Sequence, residues 1–128
     1  MPARRDSGWT MDKFLHWAFG PDRVFEAARL VHQAQSLTEA LLEAPADEEL
    51  RGTLSLQLLS LRNVAGEHRW REEGDIAAAL ARLPRGPDDV ALVVHQLRDG
   101  LHALERLMRA RLAAAITLTL PWTGRVAA

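Results

Sequence analysis

The chain has 128 residues, 48% hydrophobic and 26% charged, with a formal net charge of −1. That balance describes one folded globular domain with a core of its own, not a disordered chain. The lack of cysteine excludes disulfides, thiol nucleophiles and thiolate metal sites, and near-neutrality argues against a protein that coats nucleic acid by bulk charge.

Residues 1–9 read as a loose start. Thr10 is a suitable N-cap, with Asp12 in the first turn, for a short helix Met11 to Phe19 carrying Phe14, Leu15, Trp17 and Phe19. That is too much aromatic surface to leave in water. Gly20-Pro21-Asp22 breaks the chain, and Pro21 suits the first turn of a helix reaching Ala44. Its apolar face is Val24, Ala27, Ala28, Leu30, Val31, Ala34, Leu37, Leu41 and Leu42, with Arg29, His32, Ser36, Glu39 and Glu43 opposite. Pro45-Ala46-Asp47 makes a tight connection, and Asp47, Glu48 and Glu49 suit a helix N-terminus.

The helix Glu48 to Ala65 is the centre of the pattern, because no charged residue lies between Arg51 and Arg62. At about 100° per residue, Leu50, Leu54, Leu58, Leu61 and Ala65 share one face, while Leu56 and Leu59 project from the other side. A helix apolar on two sides is expected to be covered on two sides, by its own bundle or by a second copy. Gly66 and Gly74 then leave two readings open: Asp75 caps a helix Ile76 to Leu83, or the chain is helical from Glu67 onward with Gly74 tolerated. Pro84-Arg85-Gly86-Pro87-Asp88 is the clearest turn.

The last helix, Asp89 to about Leu118, is the most regular. Val90, Val94, Leu97, Leu101, Leu104 and Met108 alternate steps of four and three, and Leu112 and Ala115 continue the face. This near-heptad stripe suits near-antiparallel packing in a bundle, and about 30 residues would extend about 45 Å, beyond the helix before it. Pro121 is expected to end the helix, with residues 123–128 as a flexible tail. The run Leu112 to Trp122 is too short and Thr-rich to span a bilayer, and no charged n-region precedes an apolar h-region. A cytoplasmic protein without membrane contact is the expectation.

Three groups of residues bear on chemistry. Arg62-Asn63 followed by His68 resembles the R-x4–6-H motif of HEPN ribonucleases, which are small, usually dimeric all-α bundles. The resemblance implies metal-independent RNA cleavage through 2′-hydroxyl attack. His68 would move a proton, Arg62 would stabilise phosphate charge and Asn63 would orient the pair. In an unbroken helix, residues six apart point about 120° away from each other, so this reading requires a break, and Gly66 is the residue that could supply it. The alternative is a helix end with solvated Arg and His.

The second group is basic. There are 15 Arg against one Lys, Lys13, which reflects either the codon usage of a GC-rich genome or phosphate and carboxylate recognition, where Arg has the better fork geometry. His95, Arg98, His102, Arg106 and Arg109 lie within about 80° of one another on the last helix. With Arg69 and Arg71 beside Trp70, they form candidate contacts to a nucleic-acid backbone. The alternative is a solvated flank partly neutralised by Asp99 and Glu105. Trp70 either stacks on a base or packs in the core. Trp9 and Trp122 could pack together or on a partner.

The third group is carboxylates and histidines, and it yields no metal site and no cofactor. Glu72 and Asp75 form an ExxD pair of the kind in MazG-type nucleotide pyrophosphatases, but Glu48-Glu49 is followed by Leu50-Arg51-Gly52 and the third carboxylate is missing. Asp99-x-x-His102 is a single step where bundle di-metal sites need a paired set. His16, His32 and His68 have no ligand spacing, and no Gly-rich phosphate loop or GxSxG elbow occurs.

The expected fold is all-α, a four-helix-bundle type with a short extra N-terminal helix in one domain. An oligomeric or partner-bound assembly subunit ranks ahead of an enzyme, whose class stays open. In size, helical makeup and Arg-edged surface the chain resembles the small subunits of multi-subunit CRISPR effector complexes in antiviral defence. That resemblance implies side-by-side packing and non-catalytic contact with RNA or single-stranded DNA, and it assigns no individual residue. The HEPN-type endoribonuclease, as a toxin or defence enzyme, is the alternative, and a module recognising only protein is the third.

Overall fold

The computed structural model describes residues 21–127, with side chains placed for residues 22–117. The expected helix Met11–Phe19, and the side chains of Trp9, Trp17 and Trp122, lie outside the described residues. What is described is all α-helical: α1 (Pro21–Glu43), α2 (Glu48–Glu67), α3 (Arg71–Ala81), a single 3-10 turn (Leu83–Arg85) and α4 (Val90–Ala127). Each helix packs on its two neighbours in a closed ring, α1 on α2, α2 on α3, α3 on α4 and α4 on α1. The cross-contacts run antiparallel throughout. Glu39 meets Arg98 across α1 and α4, Ser55 meets Ala81 across α2 and α3, and Glu73 meets Arg111 across α3 and α4. No helix among the described residues is long and apolar enough to cross a membrane.

The core follows most of the expected stripes and adds Val93, which they did not include. Val24, Ala27, Val31, Ala34 and Leu41 of α1 meet Leu54, Leu58, Leu61 and Ala65 of α2, and Val93, Val94, Leu97, Leu101, Leu104 and Met108 of α4. Among the described residues the buried hydroxyls of Thr38 and Ser55 spend their hydrogen bonds on backbone: Thr38 Oγ1 donates to the Ala34 carbonyl and Ser55 Oγ to that of Ala81, both at 2.7 Å. Asp47 caps α2, its carboxylate accepting from the Leu50 amide at 3.1 Å. Arg51 staples the two loops at this end by donating to the carbonyls of Pro45 and Pro84, each at 2.8 Å.

Two expectations need correction, at Leu42 and at Pro121, and two open readings are narrowed. The second apolar face of α2 is only half covered within one chain: Leu59 packs against the core, but Leu56 is 64% exposed. Leu42, expected inside, is also exposed, because one residue on from fully buried Leu41 it points about 100° off the packed face of α1.

Of the two readings for this stretch the one with Gly74 inside the helix is nearer the structure: the helix starts at Arg71, neither at Ile76 nor at Glu67, and runs through Gly74 to Ala81. A Cβ at Gly74 would lie 3.6 Å from that of Ala65, an ordinary van der Waals contact. Acidic Glu72 and Glu73 fill its first turn. Lastly, α4 does not stop at Pro121 but continues to Ala127. Proline removes one bond to the turn before it, at a cost of about 3 kcal/mol, yet its own φ is already helical and leaves the residues after it unhindered.

At 38 residues α4 is about 57 Å long, against about 35 Å for the 23 residues of α1, so it projects well beyond the bundle.

Candidate functional site

The α2–α3 corner is built from a helix stop. His68 is the C-cap of α2, and the following Arg69 adopts φ 59°. The Arg69 amide donates to the Gly66 carbonyl at 3.2 Å, and the Trp70 amide to that of Ala65 at 2.8 Å. This pair of bonds is a Schellman stop, whose left-handed position normally belongs to glycine. An arginine there costs about 1–2 kcal/mol of backbone strain, and strain of this kind persists where surrounding structure enforces it, often at functional sites. Gly66, which has open space around it, does not break α2.

The stop turns the chain so that Arg62, Arg69 and Arg71 border one cleft of about 440 Å3. Its floor is Ala65, Gly66, Gly74 and Ala78, residues with little or no side chain, and its remaining edges are Trp70 and Asp75. All three arginines are exposed. Arg62 donates to Asn63 Oδ1 at 3.1 Å, but among the described residues no carboxylate lies within ion-pair distance of Arg62, Arg69 or Arg71. Three guanidiniums against one carboxylate, Asp75, make the cleft a positive concavity.

Trp70 supports the corner from beneath and is 93% buried (7% exposed). The His68 ring stacks on it with centroids 5.0 Å apart, and the Arg111 guanidinium lies 4.9 Å from its ring centre. Arg111 also forks onto Glu73, whose side chain is 1% exposed, with Nη2 donating to Oε1 at 3.0 Å. So the Trp70 ring is enclosed by the protein and holds the corner in place, which answers the choice between stacking on a base and packing in the core. Sequence reading missed both Glu73 and Arg111.

The other candidates are distributed differently. His68 does not border the cleft that contains Arg62. Its imidazole is held below its ordinary value, first by burial and then by the charge of Arg23 on α1, which places it toward α1. Within one chain, therefore, Arg62 and Asn63 sit together and His68 faces elsewhere. On α4 the basic edge is largely neutralised. Arg98 forks onto Glu39 at 2.8 and 2.6 Å, Arg109 meets Glu105 at 3.1 Å, His102 lies 3.8 Å from Glu105, and His95 lies 3.4 Å from Asp99. The Arg98 hydrogen bonds hold the Glu39 carboxyl below the usual range, and Glu39 in turn raises Arg98. Arg106 is exposed and has no ion pair among the described residues. No three His, Asp or Glu side chains among the described residues converge to hold a metal.

Set against protein-family models, curated proteins and solved structures, the chain has no match in any of the three comparisons.

Proposed function

We propose that this chain is a non-catalytic helical subunit that holds a nucleic-acid backbone, RNA or single-stranded DNA, in the α2–α3 cleft. The observation that carries this reading is the set of three guanidiniums of Arg62, Arg69 and Arg71, without an ion pair among the described residues, around one concavity. One of them, Arg69, occupies a position that glycine would hold with less strain. Planar, permanently charged forks suit phosphate oxygens, and contacts of this kind bind without reading sequence. Paired Arg98 and Arg109 would first have to leave Glu39 and Glu105, so the cleft is the primary contact and exposed Arg106 at most a secondary one. The exposed Leu56, with Leu42 and Leu92, supports packing against copies of the chain or partner proteins, the arrangement expected of an assembly subunit.

The test is fluorescence anisotropy with a labelled single-stranded RNA at low salt, with the RNA recovered and sized afterwards. The reading expects binding of intact RNA, and loss of at least tenfold in affinity when Arg62, Arg69 and Arg71 are all changed to Gln. RNA that is cut by the native protein but survives with His68→Ala would overturn it in favour of the HEPN-type ribonuclease. Absence of binding, alone and with co-expressed partners, would leave a module that recognises only protein.

A further inference from the structure

Among the side chains that border the α2–α3 cleft, Asp75 is the one whose charge opposes a polyanion. It stands on α3 four residues after Arg71, about 6 Å further along the helix axis. It is exposed, and among the described residues its carboxylate makes no hydrogen bond and no ion pair. Arg71 does not neutralise it, since a cation four residues before an anion is the less favourable order on a helix. Gly74 and Ala78, its neighbours on the cleft, put little side chain between this carboxylate and a ligand. A carboxylate beside a phosphate opposes binding by like-charge repulsion. Being an acceptor only, it adds affinity only for a ligand that presents a donor next to its phosphates. Within a single-stranded DNA backbone the phosphates and deoxyriboses carry no such donor. In RNA every sugar carries one, the 2′-hydroxyl, on the carbon adjacent to the phosphorylated 3′ position.

We infer that Asp75 makes this cleft selective for RNA over single-stranded DNA: its carboxylate accepts a hydrogen bond from a ribose 2′-hydroxyl while Arg62, Arg69 and Arg71 hold the neighbouring phosphates. The inference rests on the cleft being the nucleic-acid site proposed above, and it goes further by choosing between the two polymers. Base edges also carry donors. The three arginines, however, hold the backbone and not the bases against the rim, so the donor nearest the carboxylate is the one on the sugar. A charge-assisted hydrogen bond of this kind corresponds to about tenfold in affinity. With DNA the repulsion remains and no bond offsets it. The same carboxylate therefore favours one polymer and disfavours the other.

The test is fluorescence anisotropy at fixed low salt with three labelled strands of equal length: oligouridylate, oligodeoxyuridylate and 2′-O-methyl oligouridylate. All three carry the same base, and the methylated strand keeps an RNA-like sugar while losing the donor. The native chain is expected to bind oligouridylate about tenfold more tightly than either of the others. Asp75→Ala should erase that preference, with binding of oligodeoxyuridylate unchanged or tighter and far-UV circular dichroism unchanged as the control for folding. Equal native affinity for the ribose and deoxyribose strands would overturn the inference while leaving the cleft as a nucleic-acid site. So would a preference that survives in Asp75→Ala, or one shared by the methylated strand, which would assign the discrimination to sugar shape. Equal weakening of all three strands in a folded Asp75→Ala would also overturn it, since Asp75 would then only support the arginines. Absence of binding by the native chain to any of the three would overturn the cleft reading itself, and this inference with it.

Discussion

Three side chains at the α2–α3 corner carry distinct and separable consequences. Glu73 is buried and its partner Arg111 is partly exposed, so removing the carboxylate strands a guanidinium and leaves a buried amide. Glu73→Gln is expected to destabilise the bundle by about 2–4 kcal/mol in urea denaturation. Replacing both partners, as Glu73→Met with Arg111→Met, should recover at least half of that loss, because an apolar pair has no charge to desolvate.

Arg69 behaves in the opposite way. Arg69→Gly should raise stability by about 1 kcal/mol by relieving the left-handed backbone, and should weaken RNA binding. A variant that is both less stable and equally able to bind would contradict the role given to this residue.

His68 sets a pH dependence. Its folded value lies below the ordinary 6.5, so the folded state favours the neutral ring. The associated stability is complete above the unfolded value and is lost as pH falls through the folded one. Urea midpoints measured between pH 7.5 and 5 should therefore fall, and His68→Gln should flatten that part of the curve. Glu39, also lowered, acts in a separate window below its ordinary 4.5.

At the scale of helices, one substitution has two signs. Gly66 and Gly100 both lie within helices, where alanine is intrinsically better by about 1 kcal/mol. A Cβ at Gly66 meets nothing, whereas one at Gly100 would fall 2.5 Å from Leu80 Cδ2. Thermal denaturation should show Gly66→Ala stabilised by up to about 1 kcal/mol and Gly100→Ala destabilised by about 1–3 kcal/mol as Leu80 is displaced.

These positions also explain what the sequence could reveal. Periodicity exposed the inward faces of α1, α2 and α4 because long stripes average over local exceptions. It left residues 66–75 open, because a glycine fits both a helix end and a helix interior. The stop itself falls at Arg69, whose left-handed φ no local pattern records. One signal was present and unread. The alternating steps of four and three along α4 lead from Met108 to Arg111, a charge on the core face that required a buried partner. That partner is Glu73. The pairing of Arg98 with Glu39, 59 residues apart, was invisible for the same reason, so the basic edge of α4 looked freer than it is.

For the whole molecule, a net charge of −1 coexists with a positive concavity because Arg98, Arg109 and Arg111 of α4 pair with carboxylates, whereas among the described residues Arg62, Arg69 and Arg71 have no ion pair. Under the proposed function, a near-neutral chain would bind a polyanion on one side only and leave the remaining surface, Leu56 included, for neighbours in an assembly. The most direct measurement of this account is the salt dependence of single-stranded RNA binding by the native chain and two triple variants. Three backbone contacts correspond to a slope of about −2 in log affinity against log salt. The account predicts that Arg62→Gln, Arg69→Gln and Arg71→Gln together abolish that slope, while Arg98→Gln, Arg106→Gln and Arg109→Gln together leave most of it in place. The reverse result, with the slope lost from the α4 variant and retained in the cleft variant, would contradict it.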